Sequence, residues 1–475
     1  MNNIVVLLGS VVTILLAAFI LLQDRRSVFW SAFVLVFIPI DYIKRFYFEV
    51  PSAVRWLPMF AMVGFGLMVF LLIPHRKASI PRPFSLLFLF TLLLGALSLM
   101  ANEKASIGAY VMSQRGFIMV FGFMTLCKAV YDLYDKDKMF GFIVIAGMAS
   151  TAAAIFQRVY YVVLLNYTGD RVTGLFSVDG IFVFFQLFCI FVTLTYWLYG
   201  RQILPFMTTN QVLIVLMMSV VVCNDKAAIV FLVLLILFIT TQVGFEIIWK
   251  SFGKIFAGFA GLGLILVIFN AVYQQGYEGK AHVSDASLSQ YIENPDNIRK
   301  YIVGGDHMYQ KMTPDGQLLR GAAVEFAWKL IVKRPETLWL GMGAGSTQHS
   351  NMPGAMGYLE ERYPGYTIGR VPLSMFLGEL GVIGLLAHLG LLAMIFMWRP
   401  ADPRADRDDF HLIRKGFVVL MVLYYIYENM YFEPVFALLL AALYYPYRAP
   451  APRPPAEASD ASSEEPQQLT QPATI

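Results

Sequence analysis

Residues 368–386 read IGRVPLSMFLGELGVIGLL, and the apolar run that starts there continues to about position 398. A helix needs about 20 such residues to cross the hydrocarbon core of a bilayer, so the run predicts a transmembrane helix. It holds one charge, Glu379, and Arg370 stands immediately before it. On insertion scales a charge at bilayer depth costs about 2.5–3.5 kcal/mol, which makes an arginine at the mouth and a glutamate further in candidates for function.

The rest of the chain has the same character. Its 475 residues are 58% hydrophobic, 15% aromatic and only 14% charged, where soluble domains carry about 25% charged residues. Mean hydropathy is +0.63. This composition indicates an integral membrane protein whose first partner is the lipid bilayer. The formal net charge of +4 is small for the length, so the arrangement of charge says more than its sum. No nucleic acid is expected as a partner. Cys127, Cys189 and Cys223 lie in or at the edge of apolar runs and read as small membrane-core residues, not as a disulfide framework or a zinc site.

Apolar runs long enough to span occur near 4–22, 27–43, 55–73, 84–101, 116–131, 139–157, 180–199, 205–223, 227–247, 254–273 and 371–398. The stretch 416–446 is too long for one span and is interrupted by ENMYFEP, residues 428–434, so it reads as two short spans. The fold expected is an all-α polytopic bundle of about 12–13 transmembrane helices with one large hydrophilic loop. Its parts are 1–273 with the first ten helices, the loop 274–370, the C-terminal helices 371–447 and a tail 448–475. The first run lacks a basic start and a small-residue cleavage site and reads as a retained helix. The Pro-, Ala-, Ser- and acid-rich tail reads as disordered.

Lysines and arginines mark alternate connections: QDRRS, PHRKASIPRP, DKDK, YGRQ, WKSFGK and RPADPRADRDDFHLIRK. By the positive-inside bias these connections and the tail face the cytoplasm, and the N-terminus and the loop 274–370 face outward. Within that loop, Val324, Ala327, Trp328 and Ile331 fall at helical spacing, predicting an amphipathic helix over Arg320–Lys333 that Arg334-Pro335 stops. GMGAGS, residues 341–346, has the glycines of a phosphate loop but no lysine at the required spacing. DKD at 135–137 has the look of a metal-binding acidic pair but falls on the cytoplasmic side.

Against the bias, Arg171, Lys226, Arg320 and Arg370 all fall at outward-facing helix ends or beside them. Singly each reads as a snorkelling interfacial charge. Together they suggest a pocket for a polyanion, because a guanidinium donates bidentately to phosphate and fixed cations stabilise a departing phosphate.

The order RVTGLFS, NDKAAIVFL, RGAAVEFAWKLIVKRPETLWLGMGAGS and PLSMFLGELGVIGLL, from Arg171 to Leu386, resembles the O-antigen ligase and Wzy-type polymerase superfamily. The resemblance implies a GT-C-like glycosyltransferase of the bacterial inner membrane, its large loop in the periplasm. Such an enzyme acts without metal or cofactor on oligosaccharide carried by undecaprenyl diphosphate, with a flippase and a chain-length regulator as pathway partners. It implies diphosphate contacts for Arg171, Lys226, Arg320 and Arg370, and catalytic roles for Arg370, Arg320 and Glu379. Lys226 keeps the charge but not the bidentate geometry of the arginine usual there. Ligases usually carry histidine nine residues before the helical glutamate, where this chain has Arg370, and arginine cannot act as a base. That departure favours a polymerase of O-antigen, capsule or exopolysaccharide over its alternatives, a ligase acting on lipid A core or a polysaccharide or lipid transporter.

Arg370 is then expected to clamp diphosphate. Glu379 is its buried partner, the orienter of a neighbouring cation, or a structural hydrogen-bonding group within the bundle. His282, His307 and His349 are candidate bases, and Glu428 and Glu433 candidate contacts for sugar hydroxyls or acceptor, each with an ordinary surface or turn role as the alternative.

Overall fold

The computed structural model describes residues 25–37, 82–102, 106–129, 135–165, 172–244 and 311–444, with positions 177, 224, 314–315, 351–353, 400–406 and 432 left out, and single positions between 246 and 304. The described residues are helical, with no strand and only two isolated bridges, Leu204 with Met207 and Met312 with Leu318. The helices are α1 Arg25–Phe37, α2 Arg82–Ala101, α3 Ile107–Ser113, α4 Arg115–Ala129, α5 Lys136–Leu165, α6 Asp179–Leu198, α7 Thr209–Cys223 and α8 Lys226–Gln242. They continue with α9 Arg320–Ile331, α10 Pro335–Leu340, α11 Tyr358–Arg362, α12 Pro372–Met397, α13 Asp408–Tyr424 and α14 Pro434–Tyr444. Four stretches are long and apolar enough to cross a membrane: Ile107–Met124, Lys136–Tyr160, Asp179–Leu198 and Pro372–Met397. The chain has the structure of an all-α membrane protein. The runs expected near 4–22 and 55–73 and the tail 448–475 lie outside the described residues, as does most of 254–273.

At the centre stands α6, buried from Gly180 almost to its end. Its sequence explains the position: DGIFVFFQLFCIFVTLTYWL is apolar on every face, and such a helix is stable only when surrounded. It is packed by α5, α7, α8 and α13. The three cysteines are buried and unbridged.

Helix α13 begins at Asp408, eight residues before the run expected at 416. The extra turns form because their charges are paired. Arg407 donates to Asp137 at 2.7 and 2.8 Å and to Asp409 at 2.7 and 3.0 Å, and Tyr196 donates to Asp137 at 2.5 Å. Asp408 and Asp409 in the first turn also favour the helix N-terminus electrostatically. This network ties the ends of α5, α6 and α13, which gives DKD a structural role.

Helix α12 is broken. Gly381 has φ 66° and ψ −162°, so the run 372–397 is two helices joined end to end. The carbonyls of Gly378 and Glu379 accept from the amides of Met342 (2.7 Å) and Gly343 (3.2 Å). Ser98 Oγ of α2 adds a bond to the Glu379 carbonyl at 3.1 Å. A side chain has no room here: a Cβ on Gly381 would lie 2.6 Å from the Gly341 amide nitrogen, and one on Gly341 (φ 75°) 2.3 Å from the Glu379 carbonyl carbon. Non-helical backbone within an apolar run is tolerated where protein surrounds it and satisfies its polar groups, as the glycine-rich segment does here.

Candidate functional site

At the end of the bundle opposite the Arg407 network, three turns meet. One is the 3-10 turn Ile368–Arg370 before α12, the second joins α13 to α14 across 425–433, and the third is the N-terminus of α9. The 17 residues of α13 put about 25 Å between the two ends at 1.5 Å per residue.

Arg370 Nε donates to Glu428 at 2.9 and 3.2 Å, and its Nη1 donates to Gln317 at 2.9 Å. Its Nη2 has no hydrogen-bond partner among the described residues, which leaves donors for a ligand. Arg320 approaches the same Glu428 carboxylate at 3.9 Å, donates from Nε to the Tyr427 carbonyl at 2.9 Å, and lies 4.0 Å over the Tyr427 ring. Tyr427 in turn donates to Asp225 at 2.7 Å, and Asp225 caps α8 by accepting from the Ala227 amide at 2.9 Å. Burial pushes the Glu428 carboxyl above the ordinary 4.5, with Arg370 and Arg320 only partly offsetting it. Burial likewise raises Asp225, against the opposing hydrogen bond from Tyr427.

Arg370 and Glu428 line a cleft of about 420 Å³ together with Arg115, Gln317, His349 and Glu360. The exposed imidazole of His349 is held through Nδ1 by the buried carboxylate of Glu360 at 3.2 Å. A carboxylate on one ring nitrogen orients the ring and fixes its tautomer, leaving Nε2 for a ligand. Thr367, which lines the same cleft, is the one non-glycine residue with positive φ among the described residues (φ 50°), a costly conformation for a β-branched side chain. A second, apolar cavity of about 50 Å³ lies deeper in the bundle, lined by Phe376, His388 and Tyr431 among others. It has room for a few waters but not for a lipid chain.

The structure therefore brings together Arg320 and Arg370, and the carboxylate partner of Arg370 is Glu428. Glu379 is occupied elsewhere. Its carboxylate accepts from the amides of Gly345 (2.8 Å) and Thr347 (3.2 Å) and from the Thr347 hydroxyl at 2.6 Å. These bonds pin the GMGAGS loop onto α12. The same loop presents Thr347 to His349 at the cleft wall. Lys226 opens α8 beside Asp225. Arg171, His282 and His307 lie outside the described residues. Gln317, Tyr427 and the His349–Glu360 pairing had no signal in the sequence, because their partners stand 11 to 202 positions away.

Among the described residues no group of three or more His, Cys, Asp or Glu side chains converges as a metal site. No protein-family model, no curated protein and no solved structure matches the chain.

Proposed function

We propose that the cleft holds the diphosphate of a lipid-linked oligosaccharide and that the protein is a glycosyltransferase of the Wzy polymerase kind, working at the outer face of a bacterial inner membrane. The observation that carries this reading is the placement of Arg370 and Arg320 around one buried carboxylate at the end of apolar helices. Two guanidiniums held in register can take a diphosphate, while an amphiphile's tail stays in the adjoining bilayer. Charge develops on the leaving diphosphate as the anomeric bond breaks, and preorganised cations stabilise it there. An acceptor sugar hydroxyl attacks the anomeric carbon. His349 Nε2 takes its proton, Glu360 holds the imidazolium, and polyprenyl diphosphate leaves against Arg370. Arg370 itself cannot be the base. Arg171 and Lys226 are proposed as further diphosphate contacts, with the flippase and chain-length regulator of such a pathway as partners.

The break in α12 favours a second reading, a lipid or polysaccharide transporter, since discontinuous helices mark transporter sites. The freed carbonyls are capped by the amides of Met342 and Gly343 and hold nothing for a cargo, so the enzyme reading is preferred.

The test is the purified protein in sealed proteoliposomes, given only undecaprenyl-diphosphate-linked repeat units. A ladder of lengthened glycans is expected. A single glycan appearing only when lipid A core is added would replace the polymerase by the ligase, and loss of lipid-linked units across a sealed bilayer without new glycosidic bonds would favour the transporter.

A further inference from the structure

A separate cleft of about 530 Å³ is lined by Lys333, Arg334, Arg362, Glu336, Tyr358 and Tyr363 and by Ala101 and Asn102 at the end of α2. Its charge is unbalanced. Glu336 is its one carboxylate, and neither Lys333, Arg334 nor Arg362 forms an ion pair with a described residue. By contrast the neighbouring Lys311 and Lys329 are both engaged by Glu325. Arg362 is steadied by the Tyr358 hydroxyl, which accepts from its Nη1 at 2.8 Å.

The surroundings of this cleft are apolar and exposed. Trp328, Val332 and Trp339 present large unburied side chains beside it. Ser98 Oγ donates to the Leu340 carbonyl at 2.8 Å, which seats α10 on the C-terminal end of α2. That end carries an exposed apolar face of Leu93, Leu97 and Met100. An exposed apolar face on α2, two exposed tryptophans on α9 and α10 and a basic cleft are thus joined through the contact of α10 with the end of α2. Tryptophan at the headgroup level with lysine and arginine just beyond is the pattern of a membrane–water interface.

We infer that this cleft binds the phosphate headgroup of an anionic phospholipid in the leaflet at which α2 ends, with Trp328, Val332 and Trp339 embedded among the acyl chains. The apolar continuity with α2 selects a lipid over a soluble acidic glycan, which would need no tryptophan band. The site is separate from the diphosphate cleft and does not depend on its assignment.

The experiment uses the full chain in mixed micelles of phosphatidylcholine and phosphatidylglycerol, with retained lipid read by native mass spectrometry. Wild-type protein should retain phosphatidylglycerol preferentially. The triple variant Lys333→Gln, Arg334→Gln, Arg362→Gln should lose that preference by at least about fivefold, while Lys138→Gln, an exposed lysine at the opposite end, should not. A headgroup-photoreactive phosphatidylglycerol should label the wild-type protein within 328–342 and 358–363. Equal retention by the triple variant, labelling elsewhere, or displacement of the lipid by an acidic oligosaccharide at equal charge would each overturn the inference.

Discussion

Arg370 Nε and the carboxylate of Glu428, 58 positions apart in the chain, meet at 2.9 and 3.2 Å and join the turn before α12 to the turn between α13 and α14. A partly buried ion pair is a poor source of stability, because desolvation offsets the attraction. It is a good means of holding a guanidinium in one orientation. Arg370→Ala is expected to abolish glycan transfer and to destabilise the fold by leaving the buried Glu428 with only the longer, 3.9 Å contact to Arg320. Arg370→Lys should keep some activity because the charge remains. Combining Arg370→Ala with Glu428→Gln should recover thermal stability without recovering transfer. A double variant that regains transfer would show that Arg370 only props up the fold.

Glu428 competes with an incoming anion for both arginines. Glu428→Gln is therefore expected to bind inorganic pyrophosphate several-fold more tightly than wild type at neutral pH, measured by calorimetry on the purified protein. Burial raises the Glu428 carboxyl above 4.5, so acidification neutralises it in the folded protein before an exposed glutamate would titrate. The difference between wild type and Glu428→Gln should shrink as pH falls through that raised value. A difference that stays constant from neutral to acid would remove Glu428 from the anion's path.

His349 is exposed and its ring is held by Glu360, so its replacement should leave folding intact. His349→Gln should slow transfer by about a hundredfold or more, the usual contribution of a general base. Glu360→Gln, which loses only the orientation of the ring, should cost less than His349→Gln. An unchanged rate of transfer in His349→Gln would assign the proton to another group while leaving the diphosphate site standing.

The interlock of Gly341 with Gly381 predicts a purely structural loss. Gly381→Ala must place a side chain at positive φ and extended ψ, an essentially glycine-only conformation costing about 1–3 kcal/mol by itself, and drive its Cβ to 2.6 Å from the backbone of Gly341. Reduced accumulation in the membrane is expected, with a lowered unfolding temperature. Glu379→Ala should loosen the same loop and cut transfer while leaving pyrophosphate binding at Arg370 within a few-fold of wild type. Loss of pyrophosphate binding in Glu379→Ala would instead make Glu379 part of the anion site.

The sequence alone determined that this is a helical membrane protein, because apolar content and the lengths of apolar runs are local properties that need no partner to be read. It also located the amphipathic helix from Arg320 and singled out Arg320, Arg370 and Glu379, since a charge at an apolar boundary is conspicuous by itself. Tertiary structure alone decided what each charge touches. Arg370 turned to Glu428 across the gap between α12 and α13, and Glu379 turned to the glycine loop 32 to 34 positions before it. The break at Gly381 escaped the sequence because a glycine in an apolar run is ordinary in a transmembrane helix. It becomes a break only when the amides of Met342 and Gly343 arrive to take the carbonyls that a continuous helix would have satisfied itself.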